Sequence, residues 1–266
     1  MTKFNCKIQD LSTICNLVSC AGKAGRASKD TGNLINDMLM NVSKEGVNII
    51  ALDSAVQALF VKLSYKVKVI ENGEIPISDI ARLSSHLNNY SPTDDVEFSY
   101  SGGKIKIERK SPKKVSLMPT SATKFIESLK GAKDMDGLLL LKDGIYQTKQ
   151  GTNFDCVVEV NADFMKGVLS DASTIGADQF PLEINKDVFK VMVGEEGSEY
   201  IETNITTVSR KGEAKTKFSY GFDGILKNLH GSVKFYTHDK SPIIFEKQED
   251  KYNLMYFLAP KLLEKL

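Results

Sequence analysis

Phe154-Asp155-Cys156-Val157-Val158 echoes Phe4-Asn5-Cys6-Lys7-Ile8 at an offset of 150 residues, and this repetition decides how the chain is read. In the first copy Phe4, Cys6 and Ile8 alternate with polar residues, the period-2 pattern of a half-buried strand. A helix is expected after each copy. From about Leu11 to Lys23, Leu11, Ile14, Cys15, Val18 and Ala21 form an i, i+3, i+4 stripe, with Asp10 or Ser12 as the expected cap. Over Ala162–Ala172 the stripe is Phe164, Met165, Val168, Leu169 and Ala172. A second pair of helices matches at an offset near 142: one starts at Ser78 or Asp79 and buries Ile80, Leu83 and Leu87, and Gly221–His230 buries Phe222, Ile225, Leu226 and Leu229.

Strands fill the intervals. In the first half they are expected at Leu34–Val42, Val47–Leu52, Gln57–Tyr65, an extended Val67–Ile77, Val96–Tyr100, Lys104–Arg109 and Lys114–Met118. In the second they are Phe180–Ile184, Phe189–Val193, Tyr200–Val208, Lys215–Tyr220, Ser232–Thr237, Ile243–Lys247 and Met255–Leu258. Short turns such as Ser43-Lys44-Glu45-Gly46 make neighbouring strands antiparallel. The unit strand–helix–strands–helix–strands therefore occurs twice, and the fold class is α+β with two duplicated domains, 1–120 and 153–266. Between them, 121–152 is an extended connector containing a helical fragment, Lys124–Leu129, and the apolar run Leu138–Leu141.

Composition narrows the function. The chain is 41% hydrophobic and 26% charged, its longest apolar run is far short of the roughly 20 residues of a membrane span, and its start lacks a secretory signal pattern. An intracellular, soluble protein without membrane association is expected. Cys6, Cys15, Cys20 and Cys156 show no metal-ligand spacing and read as buried free thiols. There is no GxxxxGK[ST] loop, GxGxxG, GxSxG or HExxH, so no catalytic residue, metal or cofactor is expected. The net charge of +1 conceals an asymmetry: residues 1–120 hold 16 basic against 12 acidic side chains, and residues 153–266 hold 14 against 18. Opposite halves point to electrostatic complementarity between copies as readily as to a nucleic-acid footprint.

Local sequence carries a resemblance as well. Tyr256-Phe257-Leu258-Ala259-Pro260-Lys261-Leu262 is similar to the "YYLAPK" ending of the PCNA family of DNA sliding clamps, and Ser241-Pro242-Ile243-Ile244-Phe245-Glu246 resembles the strand before it. Val47-Asn48-Ile49-Ile50-Ala51-Leu52-Asp53-Ser54 resembles the strand and "MD-S" turn of the family's first domain. Leu169-Ser170-Asp171-Ala172-Ser173-Thr174-Ile175-Gly176 looks like the helix and "D-S-IGD" corner of its second. The resemblance implies a head-to-tail homotrimeric ring with sheets outside and two helices per domain lining a hole for duplex DNA. Such a ring is a non-enzymatic processivity factor at replicating DNA, in a nucleus, or in a cytoplasm if archaeal or viral. It tethers DNA polymerase and other clamp-binding proteins through a hydrophobic peptide motif, and a clamp loader opens it. Related alternatives are a subunit of a heterotrimeric or checkpoint-type clamp, or a viral-type factor that does not close a ring.

The family's arrangement also assigns candidate residues. Those facing DNA are Thr13, Asn16, Arg82, Ser85, His86, Asn89, Asp163, Lys166, Ser170, Lys227 and His230, on polar helix faces that meet phosphates without reading bases. These helices are lightly charged where the family's are rich in Lys and Arg, and Lys23, Arg26 and Lys29, in the loop after the first helix, supply further charge. The partner-peptide pocket maps to Leu52, Val56, Leu59, Pro242, Phe257, Ala259, Pro260 and Lys261. The subunit contact pairs the strand Lys113–Met118 with Tyr200–Val208. Basic Arg109, Lys110, Lys113 and Lys114 lie by the first, and acidic Glu195, Glu196, Glu199 and Glu202 by the second.

Overall fold

The computed structural model of the chain describes residues 1–20, 34–53, 59–131, 139–148, 151–177, 179–186, 188–194, 199–218 and 222–260. It divides into two compact units. Unit 1 comprises Met1–Cys20, Asn33–Lys133 and Glu249–Leu254; unit 2 lies within Asp134–Gln248 and Met255–Leu266.

In unit 1, β1 (Thr2–Lys7) leads straight into α1 (Ile8–Ser19). The helix starts three residues before the expected Leu11, because Asp10 works from inside the first turn and not as the cap itself. Its Oδ2 accepts the Lys7 N–H at 3.1 Å, which satisfies a donor left over at the helix start. Next come β2 (Met38–Ser43), β3 (Gly46–Leu52), β4 (Leu59–Tyr65), β5 (Lys68–Glu71) and β6 (Gly73–Ile77). The β2–β3 turn requires Gly46: its φ is 136°, and a Cβ there would stand 2.4 Å from the Tyr65 carbonyl oxygen. Helix α2 (Ile80–Leu87) is capped by Asp79, whose carboxylate accepts the Arg82 N–H at 2.7 Å, and buries Ile80, Leu83 and Leu87 as the spacing predicts. Strands β7 (Asp95–Ser101), β8 (Lys104–Arg109) and β9 (Lys114–Pro119) follow, then α3 (Lys124–Gly131) in the connector. One sheet has the order β5-β1-β7-β8-β9, so β9 is an edge; β6, β2, β3 and β4 neighbour one another in that order.

Unit 2 opens with the hairpin of β10 (Leu139–Lys142) and β11 (Ile145–Thr148), where only an apolar run was expected. It continues with β12 (Cys156–Asn161), α4 (Ala162–Ile175), β13 (Phe180–Ile184), β14 (Phe189–Gly194), β15 (Tyr200–Asn204), β16 (Thr207–Lys211) and β17 (Ala214–Phe218). Helix α5 (Phe222–Asn228) and strands β18 (Ser232–Thr237), β19 (Ile243–Gln248) and β20 (Tyr252–Leu258), whose first three residues belong to unit 1, are the remaining elements among the described residues. The strand orders are β16-β12-β18-β19-β20 and β15-β14-β13-β17.

The two lists superimpose element by element. β1, α1, β2 to β6, α2 and β7 to β9 correspond in order and pairing to β12, α4, β13 to β17, α5 and β18 to β20. The sequence echo is nevertheless out of register. Ile8 and Ala162 both begin a helix directly after the strand, and Phe4 and Val158 occupy the same place opposite Phe98 and Phe235, so the structural offset there is four residues larger than the echo. Phe154 consequently lies before β12 and not within it.

Three further expectations change. Tyr200–Val208 is two strands, β15 and β16, in different sheets; between them the Ile205 N–H turns to the Phe189 carbonyl at 2.8 Å. Phe164 is 59% exposed, while Met165, Val168 and Ala172 carry the buried stripe of α4. The first-half strand expected from Leu34 begins at Met38. Each unit's helices cover its sheets with an apolar side: α1 packs on α2, β1 and β4, and α4 on α5, β12 and β14. In unit 2 the core is aromatic, with Phe222 stacked on Phe218 and tilted against Phe180 and Phe245.

Candidate nucleic-acid interface and contact edges

Asp10 anchors the helix layer of unit 1. Its carboxylate accepts the Tyr65 hydroxyl at 3.0 Å, the Lys251 ammonium at 2.9 Å and the Lys7 N–H. Burial pushes its pKa up, but these three donors outweigh that and hold it below the usual carboxylate range. Around this anchor, the polar sides of α1 and α2 stay open. Asn16, Arg82, Ser85 and Asn89 are exposed and Thr13 and His86 half-buried, all on the polar side the spacing assigns them. Thr13 and Ser85 donate their hydroxyls back to the carbonyls of Gln9 and Ala81, at 2.8 and 3.0 Å. Asn89 donates to Ser85 O at 3.2 Å beyond the end of α2.

In unit 2 the corresponding residues are tied into ion pairs. Lys166 reaches Asp163 at 3.0 Å and donates to His230 Nδ1 at 2.8 Å, since an ammonium can only donate. That ammonium, with the Gly231 N–H, holds the Asp163 carboxyl below the usual range. Lys227 pairs with Asp223 at 3.5 Å, and burial pushes Asp223 up. Ser170 and His230 are exposed. Setting Arg82, Lys166 and Lys227 against Asp10, Asp163, Asp171 and Asp223, these four helices carry one more acid than base. Lys23, Arg26 and Lys29 lie outside the described residues.

Strand edges are the second feature. β9 ends one sheet of unit 1 and β15 ends one sheet of unit 2. On β9, Val115 and Leu117 are 42% and 57% exposed, and on β15 Tyr200 is 48% exposed. These apolar side chains were missed by reasoning from charge; an alternation of valine and leucine on an edge strand was the available signal. Of the basic residues by β9, Lys110 and Lys113 are exposed, whereas Arg109 pairs with Asp94 at 2.7 Å and Lys114 lies over the Tyr90 ring, 4.8 Å from its centroid. Glu199 and Glu202 are exposed, and Lys190 reaches Glu202 at 3.2 Å; Glu195 and Glu196 lie outside the described residues. Within unit 1 the edge of β4 has a neighbour: Lys66 donates its N–H to Lys251 O at 2.9 Å, and Tyr65 stacks on Tyr252 at the start of β20, centroids 5.9 Å apart.

The pocket candidates divide by unit. Leu52 is half-buried in β3, and Leu59 is fully buried in the core of unit 1. In unit 2, Pro242, Phe257, Ala259 and Pro260 are half-buried, and Phe257 packs at the rim of an apolar cluster that includes Tyr146. Val56 and Lys261 lie outside the described residues. Cys15, Cys20 and Cys156 are buried and Cys6 half-buried; none of the four is in a disulfide, and burial pushes the Cys15 and Cys156 thiols up to about 12. Among the described residues no group of three His, Cys, Asp or Glu side chains is placed to hold a metal, and no helix is long and apolar enough to cross a membrane.

Two helices per repeat, laid across antiparallel sheets in a tandem duplication, match solved structures over the whole chain. Archaeoglobus fulgidus PCNA, solved with the C-terminal region of FEN-1, aligns at TM-score 0.70 and 16% identity over 100% of both chains. The fold is that of PCNA. The Entamoeba histolytica PCNA aligns at TM-score 0.71 and 11% identity over 98% of this chain and 99% of its own. The PCNA2–PCNA3 complex of Sulfolobus tokodaii aligns at 0.70 and 9%, over 97% and 99%. No family profile and no curated protein sequence matches the chain. At such low identity the PCNA likeness is one of architecture, kept while most side chains differ.

Proposed function

We propose that the chain is a DNA sliding clamp: three copies close head to tail around duplex DNA and hold a polymerase or other DNA enzyme on it. The observation that carries this reading is the pair of sheet ends, β9 and β15, in a chain with the PCNA fold throughout. By internal symmetry β9 is the counterpart of β20, and β15 of β4. The start of β20 already lies along β4 within unit 1, so the same kind of pairing between copies would join β9 to β15. Exposed Val115, Leu117 and Tyr200 give that contact apolar area, and Lys110 and Lys113 against Glu199 and Glu202 give it a direction.

The helix faces suit a sliding contact. The Asn16 and Asn89 amides and the Ser170 hydroxyl, joined by Thr13 and Ser85 when their O–H turns away from Gln9 O and Ala81 O, can hydrogen-bond phosphates at any sequence, and the local acids keep attraction weak. Retention then comes from encirclement. Partner proteins are tethered by a hydrophobic peptide near Phe257, Ala259 and Pro260, as the A. fulgidus neighbour holds the C-terminal region of FEN-1.

Light scattering should give three times the 29.4 kDa chain mass, and the loaded protein should stay on circular DNA yet run off linear DNA. A monomer, or equal retention on both DNAs, would overturn the reading. A trimer formed only with a second, different chain would make this one a subunit of a mixed ring, an arrangement related to the S. tokodaii complex.

A further inference from the structure

The connector hairpin turns at Asp143-Gly144, with φ of 52° and 77°, a two-residue turn whose twist suits paired strands. Phe245 packs against Phe222 of α5 and against Phe235, so their strand neighbours Ile244 and Tyr236 face the other way, outward. There Tyr146, only 6% exposed, joins Phe154, Tyr236 and Ile244, with Met255 and Phe257 at the rim. Tyr146 stands edge-on to Tyr236, centroids 4.9 Å apart at 90°. The Phe154 N–H donates to Tyr146 O at 2.8 Å. Tyr236 donates its hydroxyl to Glu246 Oε2 at 2.8 Å and Gln248 Nε2 donates to Glu246 Oε1 at 3.4 Å, while burial and then the nearby Glu246 carboxylate push the Tyr146 phenol up.

Two features make this cover separable from what lies beneath. A two-stranded hairpin of four residues per strand is marginally stable alone, and here Tyr146 and half-buried Leu139 hold it down. The strands below are complete without it, since β12 pairs with β16 and β18, and β18 with β19. Lifting the hairpin leaves a formed apolar face, an open aromatic slot on Tyr236, and beside it the Glu246 carboxylate with room for a donor besides Tyr236 and Gln248.

We propose that the β10–β11 hairpin is a resident ligand of this face, and that a partner segment displaces it by placing a tyrosine or tryptophan over Tyr236 with its donor on Glu246. This rests on the tethering role proposed above. A leucine or phenylalanine anchor fills the slot but offers Glu246 no donor beyond those of Tyr236 and Gln248, and so binds less well. The cover lowers a partner's apparent affinity by the fraction of time it is open.

The test uses a fluorescein-labelled peptide of the chain's own residues 139–148 and its Tyr146→Leu analogue, titrated against wild-type chain and Tyr146→Ser. The Ser variant should bind the tyrosine peptide at least tenfold more tightly than wild type does, and at least tenfold more tightly than it binds the leucine peptide. Equal binding by the two chains, equal binding of the two peptides, or none overturns the proposal. In the unaltered chain, hydrogen exchange of β10 and β11 amides should run at least tenfold faster than in β12 and β18; equal protection makes the hairpin a fixed part of the fold. Retention of Tyr146→Ser on circular DNA separates the two levels: retention without peptide selectivity sinks this inference alone, whereas a wild-type chain that forms no ring sinks the clamp reading.

Discussion

Replacing Leu117 with serine removes the most exposed apolar group of the β9 edge without touching either core. Burying a whole leucine contributes about 1.5–3 kcal/mol, so covering the 57% that is exposed contributes about 1–2 kcal/mol at each junction between copies. A ring of three closes three such junctions, and the substitution takes about 3–6 kcal/mol from its assembly. The concentration at half-assembly follows the square root of the three-body dissociation constant, so it should rise roughly 10- to 150-fold. Mass photometry across a dilution series reads that midpoint. Because the side chain faces water in the single chain, the melting temperature of the dissociated protein should stay within about 2 °C. An unchanged midpoint would remove β9 from the junction. A large drop in monomer melting would mean that Leu117 supports its own unit.

Asp10→Asn keeps the shape but loses the charge that three donors share, and should cost about 1.5–3 kcal/mol in urea unfolding at neutral pH. Because the folded pKa of Asp10 is depressed, its contribution is complete above the ordinary carboxylate pKa and lost as pH falls through the folded value; wild type and variant should therefore converge in strong acid. Gly46→Ala places a methyl 2.4 Å from Tyr65 O at a φ of 136° and should lower the unfolding free energy measured in urea by more than about 2 kcal/mol. Phe164→Ser should leave stability within about 0.5 kcal/mol, whereas Phe222→Ala should cost about 3–5 kcal/mol, a contrast read in one pair of denaturant curves. Arg82→Ala should flatten the log–log salt dependence of duplex binding by about 0.9 for each phosphate that the guanidinium neutralises, with no change if α2 faces away from DNA.

Helix α2 was legible almost to the residue, because Asp79 marks its start and Ile80, Leu83 and Leu87 are spaced for a single buried face. Phe164 was not, since it flanks the apolar arc of Met165, Val168, Leu169 and Ala172, and periodicity alone does not place the arc's boundary. The break at Ile205 was hidden for a related reason: a strand that leaves one sheet for another keeps its alternation, and the change of partner is a tertiary event. Asp143-Gly144 between apolar runs did announce the β10–β11 hairpin, but the long connector invited a reading as linker. The strands picked out by charge, β9 and β15, do each end a sheet. The charge pattern could not tell that Arg109 and Lys114 are engaged at home, with Asp94 and Tyr90.

The bond from Lys251 to Asp10 joins positions 241 residues apart, and the closing segment of unit 1, Glu249–Leu254, is made after all the other residues of that unit. On a ribosome, the first half therefore emerges without the piece that seals β4, and must wait roughly 6–24 seconds of further synthesis to acquire it. During that interval an unsealed strand edge is open to wrong partners. Producing the N-terminal half as an isolated domain would reproduce that vulnerable state permanently, unless residues 249–254 were grafted after it.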